Sequence, residues 1–137
     1  MTHTTRATAA LGALLAVAGL LAAGPAQAAA RDALPGNWLY LTVTRSDARA
    51  SEARSTLLLC DPPRGHAHAA QACADLTAAD GDIGRVPART VHCPMIYAPV
   101  TARARGRWNG RDVDQEETYS SECVMHARTG SVFALDG

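Results

Sequence analysis

Apolar residues along this chain follow three kinds of spacing, and each predicts a different element. An unbroken apolar run comes first, over residues 9–23, centred on Leu14, Leu15, Val17, Leu20 and Leu21. Alternation follows over residues 38–44, where Leu39, Leu41 and Val43 share one face and Tyr40, Thr42 and Thr44 the other. Period two with aromatic and β-branched residues predicts a strand. A second strand is predicted over 55–60, apolar through Leu57, Leu58 and Leu59 and stopped by Asp61-Pro62-Pro63. The polar stretch 46–54 between them reads as a turn. Residues 69–79 are alanine-rich, with Ala72, Leu76 and Ala79 at helical spacing, and predict a short helix ended by Asp80-Gly81-Asp82.

Asn109-Gly110 is the strongest local signal, because both residues accept the positive φ of a two-residue hairpin turn. Such a turn sets Trp108 opposite Arg111 and fixes every pair outward from it. Arg107 then faces Asp112, Arg105 faces Asp114, and Arg103 faces Glu116, giving one solvated face of opposite charges. The other face carries Val100, Ala102, Ala104, Gly106 and Trp108 against Val113 and Tyr119, and covers a core. A helical turn over 122–128 and a last strand over 131–135 complete the chain. Five strands, two short helices and hairpin connections predict an α+β fold, with helices packed on an antiparallel sheet.

Arg6 ahead of the apolar run, and Gly24-Pro25 and Ala26-Gln27-Ala28 after it, have the charged, apolar, small-residue order of a secretory signal peptide. The run is shorter than the ~20 residues of a transmembrane helix. Residues 1–28 are therefore expected to be removed, with cleavage after Ala28 or Ala30, leaving one domain over 31–137 in an extracellular protein. A core of that size is modest, and the four cysteines fit a domain stapled by two disulfides outside the cell. Four cysteines allow three connectivities, and spacing alone does not choose among them.

The 13 basic residues, all arginine, balance 13 acidic ones, and loss of Arg6 leaves the mature chain near a charge of −1. No basic surface for nucleic acid or a membrane is indicated, since acids face Arg103, Arg105 and Arg107. Cys60, His66, His68 and Cys73, with His92 beside Cys93, invite a metal reading, but the spacing matches no familiar zinc pattern. A calcium loop at Asp80 and Asp82 lacks a further ligand ladder. A catalytic set drawn from Ser121, Glu122 and His126 lacks any framing motif. No cofactor, no metal and no enzymatic activity are expected.

Chemistry concentrates in Val91-His92-Cys93-Pro94-Met95-Ile96-Tyr97-Ala98-Pro99. Pro94 and Pro99 fix their own φ and push their neighbours toward extended geometry. The segment is stiff, apolar and covalently tied; its two readings are an exposed loop and a core-crossing segment with Met95 and Tyr97 buried.

That segment resembles the reactive stretch Cys-Pro-Met-Val-Tyr-Asp-Pro of the Streptomyces subtilisin inhibitor family. The likeness extends to Leu41-Thr42-Val43, Ala72-Cys73-Ala74-Asp75-Leu76, the Trp108 hairpin, Ser121-Glu122-Cys123 and Gly130-Ser131-Val132-Phe133-Ala134. The resemblance implies a secreted, substrate-like inhibitor of serine endopeptidases of subtilisin or chymotrypsin type, with Met95–Ile96 as the reactive bond. It implies His92, Cys93, Pro94, Tyr97, Ala98 and Pro99 as protease-contacting residues, and pairs Cys60 with Cys73 and Cys93 with Cys123. It also implies a five-stranded antiparallel sheet with two helices, and a homodimer joined through the sheet. Two departures stand out. Ser121 replaces the asparagine that supports the family's loop, which implies weaker or water-mediated support. His92 stands where an apolar residue commonly fits an outer pocket of the protease. The competing function is a relative with weak or lost inhibition, serving as a binding partner or as a protease substrate.

Overall fold

The structure, a computed structural model, describes residues 34, 36–46 and 51–136. The predicted signal peptide lies outside the described residues, and among those described no helix is long and apolar enough to cross a membrane.

Strand β1 (Trp38–Ser46) pairs antiparallel with β2 (Ser51–Cys60) and with β4 (Val100–Trp108). The short β3 (Pro63–Arg64) borders β2, and β5 (Arg111–Tyr119) borders β4, giving the order β3-β2-β1-β4-β5. Helices α1 (Ala69–Ala78) and α2 (Glu122–Thr129) pack on this sheet, α1 against β2 and β3, α2 against β4 and β5. Alternation on β1 and β4 does what it predicts. Leu39, Leu41, Val43, Val100, Ala102, Ala104 and Trp108 are all buried, in one cluster with Leu76 of α1 and Met125 of α2. Each large side chain buried this way stabilises by about 1.5–3 kcal/mol.

The hairpin register is the predicted one, from Trp108 opposite Arg111 out to Val100 opposite Tyr119. Asn109 and Gly110 both take positive φ, 48° and 75°, as a primed turn requires. Gly106 is obligatory for another reason: a Cβ there would lie 2.2 Å from the Trp38 carbonyl oxygen on β1.

The expected strand over 131–135 does not form. Val132 and Phe133 are consecutive and both buried, which no strand with one covered face permits. Instead the Val132 and Ala134 N–H groups donate three residues back, to the Thr129 and Ser131 carbonyls, in successive turns. The fifth strand is β3, beyond the Asp61-Pro62 turn. The first two strands also run further into the segment expected as a turn, β1 as far as Ser46 and β2 from Ser51.

Candidate functional site

Among the described residues, the large apolar side chains that stand exposed are Tyr40 on β1 and a cluster in the segment before β4. Met95 is fully exposed, at 105% of its reference area, with Tyr97 at 81% and Ile96 at 65% beside it. The core-crossing reading of this segment is therefore excluded. Between the end of the 3-10 turn Ile83–Arg85 and β4, the chain has no helix or strand, and both prolines contribute to that. Pro94 lacks an N–H, and each proline biases its predecessor away from helical φ/ψ.

The loop is held at its ends and not beneath. Upstream, the Arg89 N–H donates to the Ala127 carbonyl at 2.7 Å, and Cys93 is joined to Cys123 with the two Cα atoms 5.8 Å apart. Downstream, the Ala98 N–H donates to the Ser120 carbonyl at 3.0 Å. Between these tethers the Ile96 N–H donates to the Pro94 carbonyl at 2.8 Å, closing a three-residue turn with Met95 at its apex. A hollow of about 330 Å3 separates the loop from Ser120, Ser121 and Val124. His92, Pro94 and Ala98 are exposed, and Pro99 is half-buried where the chain enters β4.

Ser121 lines that hollow, but its Oγ accepts the Val124 N–H at 3.2 Å and so caps α2. Among the described residues, no side-chain hydrogen bond runs from Ser121 to the loop. Two residues matter more: Ser120, which sequence reasoning passed over and whose carbonyl receives Ala98, and Glu122, weighed there only in a catalytic set, which pairs with Arg45 and Arg54. Their partners are 22 to 77 positions away or involve backbone atoms, and no local pattern marks them.

The other candidate chemistries are otherwise engaged. Cys60 is bonded to Cys73, which removes both thiolates from any metal site. His66 accepts the His68 N–H at Nδ1 and reaches the Val132 carbonyl through Nε2 at 3.1 Å. That pattern assigns the proton to Nε2. Burial, partly offset by the Val132 carbonyl, lowers the His66 pKa, with a further contribution from His68.

A tethered, outward-facing loop on a disulfide-stapled sheet matches a known architecture. The family model described as subtilisin inhibitor-like matches residues 35–121. The chain belongs to that family. It is 59% identical over 135 residues to a protein of Streptomyces avermitilis provisionally named a serine protease inhibitor, covering 98% of this chain and 90% of that one. It is 42% identical over 102 residues to the subtilisin inhibitor of Streptomyces albogriseolus, covering 71% of each. Among solved structures it resembles Streptomyces caespitosus sermetstatin in complex with Bacillus licheniformis subtilisin. There the TM-score is 0.53 at 34% identity, over 72% of this chain and 99% of that one. Both disulfides have the pairing that the family resemblance implies.

Proposed function

We propose that this chain is a secreted, substrate-like inhibitor of subtilisin-type serine endopeptidases, with Met95–Ile96 as its reactive bond. The observation that carries the reading is Met95, fully exposed at the apex of a turn tethered on both sides. The relatives named as inhibitors, and the similar fold seen with subtilisin, support it.

A protease takes extended substrate as an added strand, with successive side chains in successive pockets. Met95 is long, unbranched and apolar, and suits a large hydrophobic primary pocket. The enzyme's serine oxygen attacks the Met95 carbonyl carbon; the C–N bond breaks and the proton passes to the Ile96 amine. In an ordinary substrate that amine diffuses away. Here Ala98, two residues on, is tied to Ser120, and Cys93, two residues before Met95, is tied to Cys123. The amine stays beside the acyl group, so resealing competes with attack by water. Pre-ordering also reduces the entropy lost on binding.

Under this reading, residues 1–28 or 1–30 serve as a signal peptide, and the outward face of the sheet, where Tyr40 is half-exposed, joins two copies in a homodimer. One observation favours a rival, a relative cleaved more readily than it inhibits: Ser121 caps its own helix instead of bracing the loop. Titration of subtilisin with the purified chain separates the two. Inhibition predicts residual activity falling linearly to near zero at equivalence, and Met95→Lys shifts the effect to trypsin. An unchanged protease profile for Met95→Lys means another surface binds.

A further inference from the structure

The two tethers nearest the reactive bond end on one corner of the fold, residues 120–123, where the chain leaves β5 and enters α2. The Ser120 carbonyl receives Ala98, and Cys123 carries the disulfide to Cys93. Between them stands Glu122, whose side chain points to the sheet. Its Oε1 accepts Arg54 Nη2 of β2 at 2.9 Å, and its Oε2 accepts Arg45 Nη2 of β1. Arg54 also donates to Asp136 near the C-terminus, and His126, one turn on in α2, lies 3.7 Å from Glu122. Glu122 and Arg54 are 29% and 26% exposed, below the 36% to 89% of the arginines and acids of the hairpin ladder, while Arg45, at 42%, lies within that range.

Building on the inhibitor reading, we propose that Glu122 is the positioning residue of the reactive loop. Its ion pairs with Arg45 and Arg54 lock the corner that holds both halves of the loop to the two strands at the heart of the sheet. A corner that tilts on the sheet carries the Ser120 carbonyl and the Cys123 sulfur with it. The two ends of a cut loop then separate, and hydrolysis gains on resealing. The anchors Ser120 and Cys123 both lie within two residues of Glu122, and no other ionised side chain in the corner reaches the sheet among the described residues.

The lock is also acid-labile. Burial opposes the charge of Glu122, but Arg54 and then Arg45 outweigh it and hold the carboxyl below the ordinary glutamate range. Arg54 likewise holds Asp136 low. A depressed carboxyl contributes fully above its unfolded value, about 4.3, and the contribution is lost as pH falls through the folded value.

The test compares Glu122→Gln with Leu58→Val, a core change in β2 outside the loop machinery that also lowers stability. Two readouts are taken: hydrolysis of Met95–Ile96 at saturating subtilisin, and hydrogen-exchange protection of the Ala98 amide. Glu122→Gln is expected to speed hydrolysis about tenfold and to reduce Ala98 protection, while Leu58→Val leaves both near the parent values. Arg54→Lys, which keeps a cation opposite Glu122, is expected to retain most of the parent behaviour. In the parent, Ala98 protection should fall as pH drops below the glutamate range; in Glu122→Gln it should already be low and show no such step. Equal effects from Glu122→Gln and Leu58→Val, or none from either, overturn the positioning role. A parent chain that fails to inhibit subtilisin overturns the inhibitor reading instead, and the Ala98 protection still decides whether Glu122 locks the corner.

Discussion

The two disulfides are alike in covalent chemistry and differ in what they join. Cys60–Cys73 spans 13 residues and fastens β2 to the helix lying on it, with Cys73 buried in the core. Cys93–Cys123 spans 30 residues and fastens a segment without helix or strand to the start of α2. The first joins elements that also pack on one another. The second holds a loop with a hollow beneath it, where no core packing substitutes for it. On the chain-entropy view both contribute about 3–4 kcal/mol of stability. Similar energies therefore serve different ends, and a stability measurement alone does not distinguish them.

Breaking that comparison gives the largest expected effect. The double change Cys93→Ser/Cys123→Ser should turn inhibitor into substrate, with cleavage of Met95–Ile96 by subtilisin rising about a hundredfold or more, read by mass spectrometry over time. Cys60→Ala/Cys73→Ala should lower stability by a comparable ~3 kcal/mol in denaturant unfolding, yet leave the equivalence point with subtilisin unchanged. If both doubles lose inhibition alike, the division of labour between the two bridges is wrong.

How far the sequence reached follows the same division. Local chemistry was legible. Asn109-Gly110 set the hairpin register, and the alternation of β1 named its buried face, because each depends on neighbours in sequence. Tertiary choices were not. The segment 131–135 has the composition of a strand, but after Gly130 it folds into successive turns and buries Val132 and Phe133 together. β3 is only two residues, paired across a turn whose prolines read as a stop. At the loop, prolines and a cysteine suggested stiffness, while its exposure needed the structure and its role as bait came from family resemblance. The ion pairs of Glu122 join residues 68 and 77 positions apart, invisible to any local pattern.

Smaller effects sharpen the picture. Arg103 bonds diagonally to Asp114 at 3.0 Å as well as across to Glu116 at 3.4 Å, all at an exposed face. Arg103→Ala should therefore lower stability by only about 0.2–1 kcal/mol in thermal unfolding, diminishing further in high salt, and should not alter inhibition. His66 gives the smallest effect. Its folded pKa is lowered, chiefly by burial, so the unfolded chain binds the proton first. Stability should be complete above the ordinary imidazole value of about 6.5 and fall modestly as pH drops below it toward the folded value. Replacing His66 by Gln should flatten that part of the unfolding profile without changing cleavage of the loop.

The central claim is that Met95–Ile96 is bait that reseals. Its most direct measurement is N-terminal sequencing of the chain after prolonged incubation with stoichiometric subtilisin, alongside residual enzyme activity. The account predicts an enzyme that stays inhibited, slow nicking, and a single new terminus beginning at Ile96. A new terminus elsewhere, or rapid complete cleavage with recovery of activity, contradicts it.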